Sequence, residues 1–379
     1  MNYDQTNPVP IPSAGTHQSV DSTLTTIFDW EYALERKPLL DLYEKGKKAT
    51  WNASELDWSQ EVNIEQIMKD RVTGGGFGAM MNQMMKPPKE LGPQELAELQ
   101  LHMNAFMLSQ FLHGEQGAMV ATAKIVLCAP TEEAKFYASN QVMDEARHVE
   151  VYHRYLTEKL GISYEVHPSL ATLLQEIVTT PKWDMTCLGM QVMVEGLALA
   201  AFGMMQMMMA GEPLIQEITS NVIRDEARHV AFGVLSLDGL YTNEFDDSDL
   251  REREDFVIEA SHLLRERLMM DQVFERMGWD VKTWADWANH TPFMKGFRQM
   301  TFSKIVPNLK RLGLLTPRVR AAYEKMDLLR YENRKDSVEE PAAPPPEELV
   351  ALFLDVLKNR EEAGEEILEI PGVNAPMAS

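Results

Sequence analysis

The pentapeptide Asp-Glu-Ala-Arg-His occurs twice in this 379-residue chain, at 144–148 and again at 225–229. Recurrence of five consecutive residues marks an internal structural repeat. Each copy holds a Glu-x-x-His pair, Glu145 with His148 and Glu226 with His229. Residues three apart share one helix face, so each carboxylate and imidazole can grip the same metal site. The surroundings read as helix: Leu, Met, Ala, Glu and Gln dominate residues 93–268, without strand-like alternation.

A further acid precedes each motif on an otherwise apolar segment. Glu115 sits in Phe-Leu-His-Gly-Glu-Gln-Gly-Ala, and Glu195 in Met-Val-Glu-Gly-Leu-Ala-Leu. Burying such an acid is costly unless it is paired or binds metal. Glu115 lies 30 residues before Glu145, and Glu195 lies 31 before Glu226. Helix breakers fall midway, at Pro130-Thr131 and at Gly211 with Pro213. At about 1.5 Å per residue, both acids of a pair stand about 20 Å from the turn between them, hence level with each other. Two antiparallel pairs of this kind make a four-helix bundle with one shared core site. Its donors would be Glu115, Glu145, His148, Glu195, Glu226 and His229. Four carboxylates and two imidazoles carry a charge that two divalent cations balance. A ligating imidazole usually donates its other N–H to a carboxylate. Asp144 and Asp225 are placed to receive it, each from the His of the opposite motif. Arg147 and Arg228 are placed to pair with those aspartates.

The breakers also divide the chain. Residues 1–28, rich in Pro, Ser, Thr and Asn, read as a mobile lead-in. Residues 29–92 read as a helical extension bearing Trp30, Trp51 and Trp58. The run Gly74-Gly75-Gly76-Phe77-Gly78 lacks the Lys-Ser/Thr of a phosphate loop and reads as a flexible loop. Residues 93–240 hold the bundle. Thr131 is its internal N-cap, followed by Glu132 and Glu133, and Gly161 ends that helix. Pro168, Pro181 and Pro213 open the next three helices, the last two running to about Ala210 and Leu240. Residues 241–330 read as a helical cap, with a charged helix near 249–275, packing tryptophans Trp279, Trp284 and Trp287, and a last helical region at about 293–312. Residues 331–379 hold 12 acidic and 4 basic residues, a stiff Pro341–Pro346 linker and a short docking helix at 347–358.

The formal net charge of −22 argues against a nucleic-acid partner, which needs clustered Lys and Arg, and against anionic membrane surfaces. Two cysteines, Cys128 and Cys187, are too few for a disulfide framework and fit a reducing, cytoplasmic setting. Residues 1–30 show no signal-peptide pattern. The longest apolar run, Gly196 to Gly211, is short for a membrane span.

These motifs resemble those of ferritin-like di-iron carboxylate oxygenases and oxidases. The group includes bacterial monooxygenase large subunits, acyl-carrier-protein desaturases, ribonucleotide reductase radical subunits and p-aminobenzoate N-oxygenases. The resemblance covers about residues 95–240. The stretch 42–48 with Trp51-Asn52 is also similar to the N-terminal part of bacterial members. It implies an all-α, ferritin-like four-helix bundle with additional N- and C-terminal helices. It further implies that the six donors named above hold two iron ions, or a manganese–iron pair, and that the reduced pair activates dioxygen. No subfamily is matched in full. Leu199 stands where the multicomponent monooxygenases carry Thr, and Val222 where the N-oxygenases carry a seventh ligand. Tyr152, four residues after His148, has the spacing of the reductase radical tyrosine.

Residues about one turn from the donors are expected to line any cavity. They are Phe111, Ala118 and Met119 beside Glu115, Gln191, Leu199 and Phe202 beside Glu195, and Val222 and Gly233 beside the second motif. The 25 methionines read mainly as core filling. No dinucleotide fingerprint is present, so electrons would come from an external donor or reductase. The expected activity is a dioxygen-dependent monooxygenation of a small organic substrate by a homodimeric enzyme. Desaturation, radical generation and ferroxidase chemistry are the alternatives.

Overall fold

The computed structural model describes residues 18–30, 32–63, 84–209, 211–343, 348, 350–355 and 358. The glycine run at 74–78 and most of the acidic tail lie outside the described residues. Among the described residues the chain is helical throughout, with no strand. Four long helices form the bundle: α2 (Pro93–Cys128), α3 (Glu132–Arg154), α5 (Trp183–Met208) and α6 (Pro213–Leu237). Ahead of them lies α1 (Lys37–Lys48), and α4 (Pro168–Thr179) lies in the crossover between the two pairs.

The local chemistry sets the ends. Glu95 accepts from the Gly92 N–H at 2.9 Å and, with Pro93, starts α2. Thr131 Oγ1 accepts from the Ala134 N–H and starts α3, and Gly161 at φ 66° ends its continuation. Glu212 caps α6 by accepting from the Ile215 N–H at 2.6 Å. The short connections from Cys128 to Glu132 and from Met208 to Pro213 leave α2 beside α3 and α5 beside α6 as antiparallel pairs, and α3 and α6 meet across the core.

The middle of α5 departs from regular helix. Residues Leu188–Val194 form a π-helical stretch immediately before Glu195. Helix α6 packs close against it, because a Cβ at Gly233 would stand 2.4 Å from Gln191 Cβ. Gly233 therefore serves helix packing. Helix α5 is apolar and long enough to cross a membrane, yet its apolar window is wholly buried inside the fold. It is the core helix of the bundle, screened on its outer side by later elements.

Those elements form the cap. They are α7 (Leu240–Asn243), α8 (Asp247–Glu266), α9 (Asp271–Arg276), α10 (Val281–His290), α11 (Pro292–Thr301), α12 (Ile305–Arg311) and α13 (Pro317–Lys325). The helical region expected at about 293–312 consists of two helices, separated at 302–304. Thr316 caps an additional helix, α13, by accepting from the Val319 N–H. Trp279, Trp284 and Trp287 pack around Phe274, with the first two ring centroids 4.2 Å apart. In the tail, Val350–Asp355 are helical, and Phe353 stacks on Phe293 at 5.5 Å.

Candidate metal centre

Each bundle helix delivers its acid to the same level of the core. Glu115 comes from α2, Glu145 and His148 from α3, Glu195 from α5, and Glu226 and His229 from α6. All six are at most 5% exposed. They fall into two groups of potential ligand atoms, each mutually within 4.8 Å: Glu115, Glu145, His148 and Glu226, and Glu145, Glu195 and His229.

Both imidazoles turn Nδ1 inward. His148 Nδ1 stands 3.2 Å from Glu115, 3.3 Å from Glu145 and 3.2 Å from Glu226. His229 Nδ1 stands 3.1 Å from Glu145 and 3.3 Å from Glu226. Glu145 reaches the two rings with different oxygens, Oε2 to His148 and Oε1 to His229, and so spans the two groups.

The Nε2 atoms turn outward and cross between motifs. His148 Nε2 lies 3.2 Å from Asp225, and His229 Nε2 lies 3.2 Å from Asp144. Arg228 donates to Asp225 at 2.5 Å and to Asp144 at 3.4 Å. Arg147 donates to Asp144 and lies 3.9 Å from Asp225. Two aspartates and two arginines thus hold both rings with Nδ1 toward the carboxylates.

Two supporting residues escaped the sequence reading. Gln141 Nε2 donates to Glu145 Oε1 and to Glu195 Oε1, both at 2.9 Å. Its position one turn before Glu145 is a signal that could have found it. Trp51 Nε1 donates to Asp225 at 2.8 Å from outside the bundle.

The donor set fits a metal pair. Among the described residues, Glu145 Oε2, Glu195 Oε2, both Glu226 oxygens and His229 Nδ1 are buried without a hydrogen bond. Orphaned carboxylate oxygens at this depth are costly unless a cation takes them. Protonation follows the same crowding. Burial pushes the Glu115 and Glu195 carboxyls well above their usual range, and neighbouring glutamates push further. Burial would also raise Glu145, but His229 and His148 outweigh it and hold that carboxyl far below the usual range. Burial opposes charge on His148 and His229, yet the surrounding carboxylates raise both well above an ordinary histidine. Metal entry has to displace these protons, so affinity rises with pH.

A cavity of about 10 Å³ borders the donors, lined by Glu115, Glu195 and Glu226 together with apolar residues and Arg267. That volume is room for about one water. Of the expected lining residues, Phe111 and Ala118 are present, joined by Gly114, Val194 and Ala198. Met119, Gln191, Leu199, Phe202 and Val222 do not line it. Met119 is half-buried elsewhere on α2. Gln191 lies in the π-helical stretch and donates to Thr122 at 3.1 Å. The wider π turn moves the residue that adjoins Glu195, so Val194 lines the cavity instead. Leu199 and Val222 are packed in the core, and Phe202 stacks on Tyr152 and packs at a tilt against Phe111. Tyr152 is fully buried, and its hydroxyl lacks a hydrogen bond among the described residues.

No family model and no curated protein sequence matches the chain. Among solved structures it is similar to the dimanganese(II) NrdF protein of Streptococcus sanguinis, at 14% identity, over 79% of this chain and 99% of that one, with a TM-score of 0.48. The bundle and its donors speak for themselves: this is an all-α protein of ferritin-like fold, with two carboxylate–histidine groups able to hold a metal pair.

Proposed function

We infer that the protein is a dioxygen-dependent oxidoreductase whose cofactor is a pair of iron ions, acting as a monooxygenase on a small organic molecule. The observation that carries this reading is the set of orphaned carboxylate oxygens on Glu145, Glu195 and Glu226, the last two being residues that border an internal cavity. Reduced iron at such a site supplies the electrons for dioxygen reduction. The chain's own residues do the rest. Glu145 and Glu226 reach both imidazoles, while Glu115 and Glu195 complete the two ends. Asp144 and Asp225 fix the imidazole orientation. Phe111, Ala118, Val194 and Ala198 keep bulk water from the reacting groups. The external electron donor and the reducing, cytoplasmic setting belong to the same proposal.

Iron storage is the competing reading. Arg267 disfavours it, because a buried guanidinium on the wall of the cavity repels a cation in transit. Anaerobic loading with Fe(II) should give about two ions per chain, and admission of oxygen with a reductant should give sustained oxygen uptake. Uptake that stops after one oxidation of the bound iron, or assembly into a large cage on size exclusion, would overturn the oxygenase reading. Incorporation of labelled oxygen into an organic product separates a monooxygenase from an oxidase.

A further inference from the structure

Arg267 follows α8 and is 3% exposed. Its Nε and Nη1 have no hydrogen-bond partner among the described residues, and no ion pair within 4.0 Å holds its guanidinium. It borders the same cavity as Glu115, Glu195 and Glu226. A metal pair would neutralise those glutamates and leave the guanidinium as an uncompensated buried cation. Such a group is costly unless an anion answers it, and its planar fork suits a carboxylate.

A second observation marks a gap in the packing beside it. A Cβ built on Gly114, which borders the cavity, would meet nothing within 4 Å. Seven residues back along α2 from Gly114, and seven on along α5 from Ala198, stand Met107 and Met205. This is two turns, or about 10 Å, along the same two helices. A second cavity of about 20 Å³ opens there, and Met103, Met204, Met208 and Met270 also line it. Methionine side chains are flexible and yield to an apolar guest. Met270 lies three residues after Arg267, so one segment borders both cavities.

We propose that Arg267 anchors the carboxylate of the substrate, with the substrate's apolar chain running along the methionine-lined seam between α2 and α5. The substrate class is therefore a monocarboxylic acid with a flexible apolar tail. The assignment rests on the metal-site reading above.

The test uses the full-length chain loaded with Mn(II), titrated calorimetrically with octanoate, octan-1-ol and octylamine. Saturable binding of octanoate is expected, with the alcohol and the amine at least about tenfold weaker. Arg267→Met should weaken octanoate binding by about ten- to a hundredfold and leave bound Mn(II) unchanged, and Arg267→Lys should recover part of the loss. Arg267→Met should also not lower the melting temperature, since it removes an unanswered buried charge. Equal binding of octylamine, or undiminished octanoate affinity in Arg267→Met, would overturn the anchor. So would retention of Mn(II) with no octanoate binding. Failure of the wild-type chain to retain Mn(II) would instead overturn the metal-site reading.

Discussion

The two halves of the metal centre share a pentapeptide but not their surroundings. On the His148 side, Asp225 receives a hydrogen bond from Trp51, a residue outside the bundle. On the His229 side, Asp144 receives one from Asn140 of its own helix. Glu195 accepts from Gln141, whereas Glu115 lies 3.2 Å from His148 Nδ1. Glu115 rides on 36 residues of unbroken α-helix, whereas Glu195 follows a π-helical stretch. The repeat thus sets coordination alike on both sides, and unique residues make one side differ from the other.

The sharpest test of that division is metal stoichiometry. Glu145 belongs to both ligand groups, and Glu115 and Glu195 to one each. Glu145→Ala should lower bound metal from about two ions per chain to near zero, whereas Glu115→Ala or Glu195→Ala should leave about one. Elemental analysis after gel filtration measures this. Equal losses in all three variants would show that the halves do not act as separate groups.

Smaller effects are expected at the glycines that distinguish the two helices. Gly233→Ala drives a methyl against Gln191 on the π-helical side, where the gap is 2.4 Å. It should destabilise the fold by about 1–3 kcal/mol in urea denaturation. Gly114→Ala enters open space on a regular helix and should stabilise it by about 0.5–1 kcal/mol. Stabilisation in both would mean that the π-helical side is not tightly packed.

The smallest effect is reserved for Trp51→Phe. It removes the donor to Asp225 and leaves the His148–Asp225 contact itself in place. Affinity for one ion of the pair should fall roughly a few-fold, less than the ten- to hundredfold usual for a direct partner of a ligating histidine. Competition with a chelator reads it out. An equal effect on both ions would erase the asymmetry between the halves.

Much of the fold was legible because helical signals are local. Thr131 and Pro213 act within one turn of themselves, and α3 and α6 begin where those signals stand. Helix α5 starts at Trp183, two residues past the expected Pro181, and α6 ends at Leu237, short of Leu240. The cap was less legible. A break at 302–304 and the added α13 depend on how short segments wrap α5 and α8, which no periodicity records. The cavity was least legible. Its expected members were counted back from the acids at ordinary helical spacing, and the π-helical stretch at Leu188–Val194 breaks that count for Gln191.

What the sequence determined by itself was the donor set and its level in the bundle. Carboxylate and imidazole recur at three-residue spacing on α3 and on α6, and similar arms on either side of a turn bring each pair of helices into register. What only the tertiary structure decided was everything brought in from a distance. Trp51 reaches Asp225 across 174 residues, and Arg267 arrives at the cavity from beyond the bundle, through the end of α8. The reason is physical. Coordination needs few atoms at helical spacing, whereas a cavity wall is whatever several independent elements leave between them when they pack.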